Sequence, residues 1–423
     1  MDIMKIFNDL FPLNRSVSGE GLRESLRIIN RYVPLDITEY ASGLTYFGWE
    51  MPLEWNISEA YVSDPNGRKL IDFSRNNLHI LVYSMPFEGW VTKDELMEHI
   101  YSLPEMPGAI PYITSVYGRR WGFCIEHENL KDFVYDKYFV KIDSSLKPGA
   151  ITVGESLIKG RSEKEVVFFT HTAHPSMAND QLSGILTLML IYKQLSAQKK
   201  DLFYSYRFIF CPETIGTAAY LSENLERLKR NTIAGCTVTF TGDNSPLRYM
   251  RSLDGDTIGD RAAEITLGTS FVADYSPFGS DERHFNSPGI DLPFGAFMRA
   301  GPNGYAEYHT SLDNASLISE KSLREAADLI VSAVRNLEAE RIVEPAHFGF
   351  QPKLDKLNLY PTLGKRYCQD IPAHKMLAIW MLSGKYNSFL RIAQNLGSDA
   401  AKLSEALDLA EKIGIVKTKR GNE

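Results

Sequence analysis

The chain has 423 residues, of which 44% are hydrophobic and 23% are charged, and its formal net charge is −7. This length predicts two or three domains, and the composition is that of a folded globular protein. The negative charge does not favour general binding to nucleic acid or to anionic membranes. No apolar run approaches the ~18 residues of a membrane span, and the N-terminus lacks the apolar stretch of a signal peptide. We therefore expect a cytoplasmic protein with reduced cysteines.

Two regions in the first half of the chain differ in composition and pattern. Residues 20–33 carry apolar side chains at helical spacing and predict an amphipathic helix. Residues 37–133 are rich in aromatic residues, glycine and proline, and a DPNG run between two strand-like segments indicates a β-hairpin. We interpret this second region as a β-rich domain.

Residues 134–345 alternate between apolar strands and long helices, which predicts a doubly wound α/β sheet with its ligand site at the carboxyl ends of the strands. The helix at 20–33 is expected to pack on this sheet. The chain then divides into an α/β domain of residues 1–36 and 134–345, an inserted β-rich domain at 37–133, and a C-terminal domain at 346–423. Three short helices followed by a strand in the last part are the outline of a winged helix.

The charge of the C-terminal domain bears on its partners. Residues 346–423 contain 12 lysines and arginines against 7 acidic residues. The polar positions of its third helix, however, include the carboxylates Asp399, Glu405, Asp408 and Glu411, which would repel phosphates. A contact with protein or with a second subunit is therefore favoured over DNA binding, which a gel-shift experiment at low salt can decide.

Polar residues follow several strands of the α/β region. His171, His174 and Asp180 lie between a strand and a helix, where imidazole and carboxylate groups could bind zinc, although a helix cap and a turn histidine explain them equally well. Glu213 follows the next strand and suits either a general base or a favourable interaction with a helix dipole. Asp243 ends a third strand, where an ordinary Asx-turn is the competing interpretation.

The last polar loop carries His309, which we interpret as a metal ligand, and Asp313, which could orient a ligand imidazole or cap the next helix. We interpret His284 as a histidine without a metal. The same loop contains further charged residues that could face a substrate: Asp281, Glu282, Arg299 and Glu307.

The order of these loops is similar to that of the di-zinc aminopeptidase superfamily, which includes bacterial leucyl aminopeptidases and animal glutaminyl cyclases. The resemblance rests on His174 with the later Asp180-Gln-Leu-Ser-Gly, on a Glu213-Thr-Ile-Gly turn, on Asp243, and on His309-Thr-Ser-Leu-Asp. The segments HPSMAND, PETIGT, SDERHFNSPGIDLP and EYHTSLDN look like a bacterial subfamily with an inserted β domain and a C-terminal winged helix. Members of that subfamily are often encoded beside polysaccharide-biosynthesis enzymes.

The resemblance implies a mixed sheet of the zinc aminopeptidase type and a zinc site on His174, Asp180 and His309. Asp243 would be a fourth ligand or half of a weak second site, and His171 and Asp313 would support the ligands. Thr214 departs from the pattern because it replaces a metal-binding glutamate of the superfamily. A hydroxyl is a poorer zinc ligand than a carboxylate, so we expect one firmly bound zinc.

The implied activity is hydrolysis of an amide at the N-terminus of a peptide or aminoacyl compound, with Glu213 as the base. Asp281, Glu282 or Glu307 would bind the free α-ammonium group, and Arg299 a carboxylate or a sugar acid. One alternative is an amidohydrolase acting on an aminoacylated or N-acylated sugar, and another is a non-catalytic, zinc-stabilised binding protein. The presence of Glu213 argues against the last, because a binding protein needs no base.

Overall fold

A computed structural model describes residues 1–301, 304–354 and 372–420. The strands in these residues are β1 Asp36–Ala41, β2 Thr45–Tyr46, β3 Trp49–Glu50, β4 Glu54–Ser63, β5 Lys69–Asp72, β6 Phe87–Thr92, β7 Ile100–Tyr101, β8 Phe123–Cys124, β9 Lys137–Lys147, β10 Ala150–Ile158, β11 Glu165–His171, β12 Ser205–Cys211, β13 Thr232–Val238, β14 Arg248–Met250, β15 Val272–Ala273, β16 Phe294–Met298, β17 Ile342–Pro345 and β18 Val416–Lys419. The helices are α1 Ile3–Leu10, α2 Glu20–Asn30, α3 Lys93–Met97, α4 Gly184–Ala197, α5 Ile215–Asn231, α6 Ile258–Leu267, α7 Glu282–Phe285, α8 Glu320–Glu338, α9 Pro372–Ser383, α10 Phe389–Asn395 and α11 Ala400–Lys412.

The centre of the protein is an eight-stranded mixed sheet in the order β1-β10-β12-β11-β13-β16-β14-β15. Strands β12, β11, β13 and β16 are parallel neighbours. Every residue of β11 and β12 is buried, as expected when helices cover both faces of a parallel sheet. The predicted α/β fold with a large mixed sheet is confirmed.

Helices α2, α4 and α8 cover one face of this sheet. Helix α4 is apolar along most of its length, and nine of its fourteen residues are buried. The predicted helix at 20–33 forms as α2, and its Leu26 and Ile29 join the same core. Helix α2 therefore packs on the large sheet, and its assignment to the α/β domain stays a prediction.

The inserted domain contains a four-stranded antiparallel sheet in the order β5-β4-β9-β6. The predicted hairpin joins β4 to β5, where the Asp64 carboxylate accepts hydrogen bonds from the N–H groups of Asn66 and Arg68. The domain boundaries need correction at both ends. Strand β1 extends the large sheet beside β10, and β9 pairs with β4 and β6 of the insertion, so the insertion ends near Lys147 rather than at 133.

The C-terminal part contains α9, α10, α11 and then β18, which pairs with β17 in antiparallel fashion. This pairing ties the C-terminal segment to residues before position 346. The assignment as a winged helix stays a prediction, as do a cytoplasmic location and the absence of DNA binding. No helix among the described residues is long and apolar enough to cross a membrane. Cys124, Cys211 and Cys236 are free and buried, and Cys368 lies outside the described residues.

Candidate metal centre

A group of histidines surrounds one buried carboxylate at the carboxyl end of β11. His171 is the last residue of this strand, and His174 lies in the turn that follows. Asp180 lies in the irregular turn Ala178–Ser183, whose Asp180–Gln181 peptide bond is cis, and α4 begins directly after this turn. Because β11 is a central strand of the sheet, these residues lie at the edge where α/β folds bind their ligands.

Three imidazoles approach the carboxylate of Asp180. Its Oδ1 lies 3.3 Å from His171 Nε2 and 3.1 Å from His174 Nδ1, and its Oδ2 lies 3.1 Å from His309 Nε2. Burial alone would raise the pKa of Asp180, but the three histidines outweigh burial and hold that pKa well below its ordinary value. The carboxylate is therefore ionised and can bind a cation.

The distances within this cluster fit a zinc ion. Ligand atoms of a tetrahedral zinc site, each about 2.0–2.1 Å from the metal, lie about 3.3 Å from one another. His174, Asp180 and His309 offer ligand atoms that all lie within 4.8 Å of one another. Asp180 Oδ2 and His309 Nε2 are buried and lack a hydrogen-bond partner in the described residues, and a shared cation would satisfy both atoms. The predicted ligand set is thus brought together in space.

A second group of ligand atoms overlaps the first and consists of His171, His174 and Glu213. His171 was expected only to support the ligands, yet it lies as close to Asp180 as the other imidazoles do. Burial disfavours its charged form, but Glu213 and Asp180 outweigh burial and raise the pKa of His171. His171 is therefore a further candidate ligand, and its Nδ1 has no hydrogen-bond partner in the part of the chain that the structure describes.

Glu213 follows β12, the strand beside β11, and comes two residues before α5. Its Oε2 lies 3.6 Å from His174 Nε2, and its side chain is 28% exposed. His309 is 34% exposed, whereas Asp180 is 1% exposed. Water and substrate can therefore reach the cluster from the side of Glu213 and His309.

Backbone strain is concentrated in the same loops. Thr214 and His309 both have a φ of 57°, a left-handed conformation that is unfavourable for residues with a Cβ. Such conformations persist where the surrounding structure enforces them, and they are frequent at functional sites. The strain at these two residues supports the assignment of this cluster as the functional site.

Thr214 brings no carboxylate to the cluster, and its polar atoms contact His284 and Asp281. Its hydroxyl lies 3.3 Å from His284 Nε2, and its N–H donates a hydrogen bond of 2.9 Å to Asp281. Burial, with a contribution from Arg283, lowers the pKa of His284 to about 4, so this imidazole is neutral. The binding of a single zinc ion stays a prediction.

Asp313 has a different role from the two that the sequence suggested. Its Oδ1 accepts hydrogen bonds from the N–H groups of Ala178 and Asn179, at 3.1 and 2.6 Å, and its Oδ2 accepts one of 2.9 Å from the N–H of Asp180. It neither orients an imidazole nor caps a helix, because its oxygens bind the backbone of the turn that carries Asp180. Asp313 therefore fixes the position of the central carboxylate.

Asp243 does not join either group of ligand atoms. Its carboxylate accepts hydrogen bonds from the Asn179 side chain, at 3.1 Å, and from the N–H groups of Ser245 and Ala300, at 2.7 and 3.3 Å. The bond to Ser245 is the local turn that competed with the metal interpretation. The structure thus favours a supporting role for Asp243 over zinc binding.

Three of the four predicted substrate-binding residues are buried in the protein. Asp281 accepts hydrogen bonds from Thr214 and Thr217, and burial together with Glu213 raises its pKa to about 6. Glu282 is fully buried, which raises its pKa to about 7. Arg299 donates to the backbone carbonyls of Thr241, Ser245 and Ser322.

Asp281 and Arg299 thus bind neighbouring loops of the protein, and a contact of Asp281, Glu282 or Arg299 with substrate stays a prediction. Glu307 is half-buried, and its backbone carbonyl accepts hydrogen bonds from Thr310 in the turn that carries His309. A contact of its carboxylate with substrate stays a prediction.

Tyr112 of the inserted domain also contacts the cluster, which the sequence did not reveal. Its ring meets His174 and His309 edge-on, with centroid distances of 5.0 and 5.1 Å. Its N–H donates a hydrogen bond of 2.8 Å to His309 O. Ile110 and Ser311 exchange two further hydrogen bonds of 2.9 Å each. The insertion therefore holds the loop that presents the third imidazole.

Replacing Tyr112 with alanine is expected to weaken zinc binding about tenfold, because groups that orient metal ligands typically contribute 10–100-fold to affinity. Competition with a chelator of known zinc affinity measures this effect. The matched control is Tyr135→Ala in the same domain, since Tyr135 is exposed and its hydroxyl contacts Asn66. Equal affinity in both variants and the unchanged protein would rule out a positioning role for Tyr112.

The large mixed sheet and the imidazole–carboxylate cluster at its carboxyl edge together define the class of zinc aminopeptidase folds. The solved zinc aminopeptidase of Bacillus subtilis is 14% identical to this chain and has a TM-score of 0.53, with 78% of this chain and 94% of the aminopeptidase covered. Residues 4–340 match the model of a family described as a domain of unknown function, DUF4910. The chain belongs to this family.

A Clostridium acetobutylicum relative is 38% identical over 423 residues, which cover 98% of this chain and 96% of the relative. Its provisional name is polysaccharide biosynthesis protein with aminopeptidase-like domain. A crystal structure from the same organism, described as that of a candidate peptidase, is 37% identical to this chain and has a TM-score of 0.88. The match covers 99% of this chain and 96% of the crystallised chain. The suspected aminopeptidase-like subfamily is therefore confirmed.

Proposed function

We propose that this protein is a zinc-dependent hydrolase that releases N-terminal residues from peptides or aminoacyl compounds. The observation that carries the proposal is the gathering of three imidazoles within 3.3 Å of the Asp180 carboxylate. A partly exposed carboxylate that lies beside this cluster, Glu213, supplies the other group that amide hydrolysis needs. Family membership and fold support the same class of reaction.

In this proposal His174, Asp180 and His309 hold one zinc ion, and His171 either completes the set or supports it. A bound zinc would polarise the scissile carbonyl and acidify a water molecule. Glu213 would accept a proton from the attacking water and pass it to the leaving amine, a role that its exposure and its position beside His174 permit. Asp313 and Tyr112 would hold the ligand-bearing loops in place.

A second candidate substrate is an aminoacylated or N-acylated sugar. The name of the Clostridium acetobutylicum relative, which refers to polysaccharide biosynthesis, favours it. The chemistry at the amide would be the same, because the acyl carbonyl would be attacked in both cases. The two classes of substrate would differ only in the amine that leaves or in the acyl group that remains.

Metal analysis of the purified chain, together with a hydrolysis screen, tests the proposal. The screen contains aminoacyl-amides, dipeptides and aminoacyl-sugars, and the expected result is one zinc per chain with release of the N-terminal residue. Hydrolysis of the aminoacyl-sugars alone would favour the second candidate. One bound zinc without hydrolysis of any substrate class would overturn the enzymatic proposal in favour of a zinc-stabilised binding protein.

A further inference from the structure

A cavity of about 350 Å³ is lined in part by Thr214, the residue that follows Glu213 in the chain. This volume falls in the range of about 300–1,000 Å³ that is typical of small-molecule sites. Its other walls include His284 and Ser287 on one side and Phe47 and Trp49 on the other.

The aromatic wall of the cavity is the hairpin formed by β2 and β3. Its two turn residues, Phe47 and Gly48, have φ values of 50° and 83°. Two-residue turns with both φ values positive strongly prefer asparagine and glycine, and a bulky side chain at the first position is unfavourable. Phe47 is 55% exposed, so burial does not offset this cost. A contact between the Phe47 ring and a ligand explains this residue at the turn better than packing within the protein does.

The hairpin is fixed in place over the start of the active-site helix. The Tyr46 hydroxyl donates a hydrogen bond of 3.1 Å to Glu223 on α5, and the Tyr46 ring packs edge-on against Tyr40 of the large sheet at 5.9 Å. Trp49, which is 42% exposed, lies on the next strand. Two partly exposed aromatic rings are thus held at a defined position above the cavity.

The chemistry of the walls restricts the ligand. Among the described residues that line the cavity there is no lysine, arginine, aspartate or glutamate, and His284 is neutral. The lining side chains therefore supply no counter-charge to a charged group. Thr214, Ser287 and His284 offer hydrogen bonds, whereas Phe47 and Trp49 offer flat apolar surfaces. A neutral pyranose ring, with hydroxyl groups at its edge and C–H bonds on its faces, matches both sets of groups.

We propose that this cavity is a subsite for a neutral glycosyl unit of the substrate, held next to the amide on which the metal centre acts. The inference rests on the proposed hydrolytic function and specifies its substrate as an aminoacylated or N-acylated glycan. The hairpin aromatics contact the faces of the sugar ring, and the groups near Thr214 contact its hydroxyls.

Binding of simple sugars to the zinc-loaded full chain tests the subsite without requiring turnover. Ligand-observed NMR titrations would use methyl β-D-glucopyranoside, methyl β-D-galactopyranoside and N-acetylglucosamine, with glucuronic acid as the charged probe and 4-methylpentanamide, which has no amino group, as the apolar one. We expect at least one neutral sugar to bind and glucuronic acid to bind more weakly. Phe47→Asn and Trp49→Ala should each weaken sugar binding about fivefold to tenfold, as expected for the loss of one aromatic contact.

The variants separate binding from folding. Phe47→Asn places the preferred residue at this turn, so the hairpin should be retained while the ring is removed. The control is Trp90→Ala, which removes a tryptophan that is 52% exposed on β6 of the inserted sheet.

Several results would overturn the subsite: no binding of any neutral sugar, unchanged sugar binding in Phe47→Asn, or weaker binding of 4-methylpentanamide in Phe47→Asn while sugar binding is unchanged. If sugars bind but the screen finds no hydrolysis, only the proposed function fails; if hydrolysis occurs without sugar binding, only the subsite fails.

Discussion

Replacing Glu213 with glutamine is expected to leave zinc bound and to lower kcat by about 100-fold or more, because a general base typically contributes 10²–10⁴-fold. Glutamine keeps the shape of the side chain but cannot accept the proton. Zinc content by mass spectrometry and kcat on the best substrate of the screen measure the two quantities separately.

The matched control is Glu226→Gln, since Glu226 lies on the same side of the sheet, on α5, and is exposed. Its activity should equal that of the unchanged protein. Full activity in Glu213→Gln would remove Glu213 as the base. Loss of zinc in that variant would instead assign Glu213 to the metal, as the group of His171, His174 and Glu213 allows.

Replacing Asp180 with asparagine is expected to reduce the zinc content to about a tenth or less and to abolish hydrolysis. Among the residues that the structure describes, Asp180 is the one carboxylate that meets all three imidazoles. Its negative charge offsets that of the metal, which an amide cannot do. Metal analysis after dialysis, with circular dichroism to verify folding, checks the prediction.

Asp243→Asn provides the control for this experiment, because Asp243 is a buried carboxylate near the same turn that belongs to neither ligand group. We expect this variant to keep its zinc. If it loses zinc as Asp180→Asn does, Asp243 is a ligand after all.

In the unchanged protein, zinc affinity should fall as the pH falls. The pKa of His171 is raised, so this imidazole takes up a proton as the pH falls, and zinc must displace that proton to bind.

The sequence predicted the α/β sheet and the gathering of His174, Asp180 and His309, because strand and helix periods are local and the ligands follow strands that end at one edge. The same reasoning does not decide the roles of Asp243 and Asp281. Position after a strand does not determine whether a carboxylate faces the cleft or accepts hydrogen bonds from a neighbouring loop, as both of these do.

The sequence also did not predict the observed boundaries of the insertion or the contact of Tyr112 with the cluster. Ile110 and Ser311 are 201 positions apart, and no local pattern reports a pairing at that separation. The sequence of β9 is compatible with a strand in either sheet. Its pairing with β4 and β6 assigns it to the insertion. Non-local pairing, rather than local propensity, decided each of these features.

The pairing of Ile110–Tyr112 with the His309 loop also bears on how the protein can be dissected and how its relatives can diverge. A shortened chain without the inserted sheet would keep His171, His174 and Asp180 on the large sheet, but it would release the loop that carries the third imidazole. The α/β half alone therefore does not hold the complete set of candidate ligands in place. Changes in the insertion should alter metal retention from a distance, so we expect sequence drift there to be constrained by the candidate metal centre that it covers.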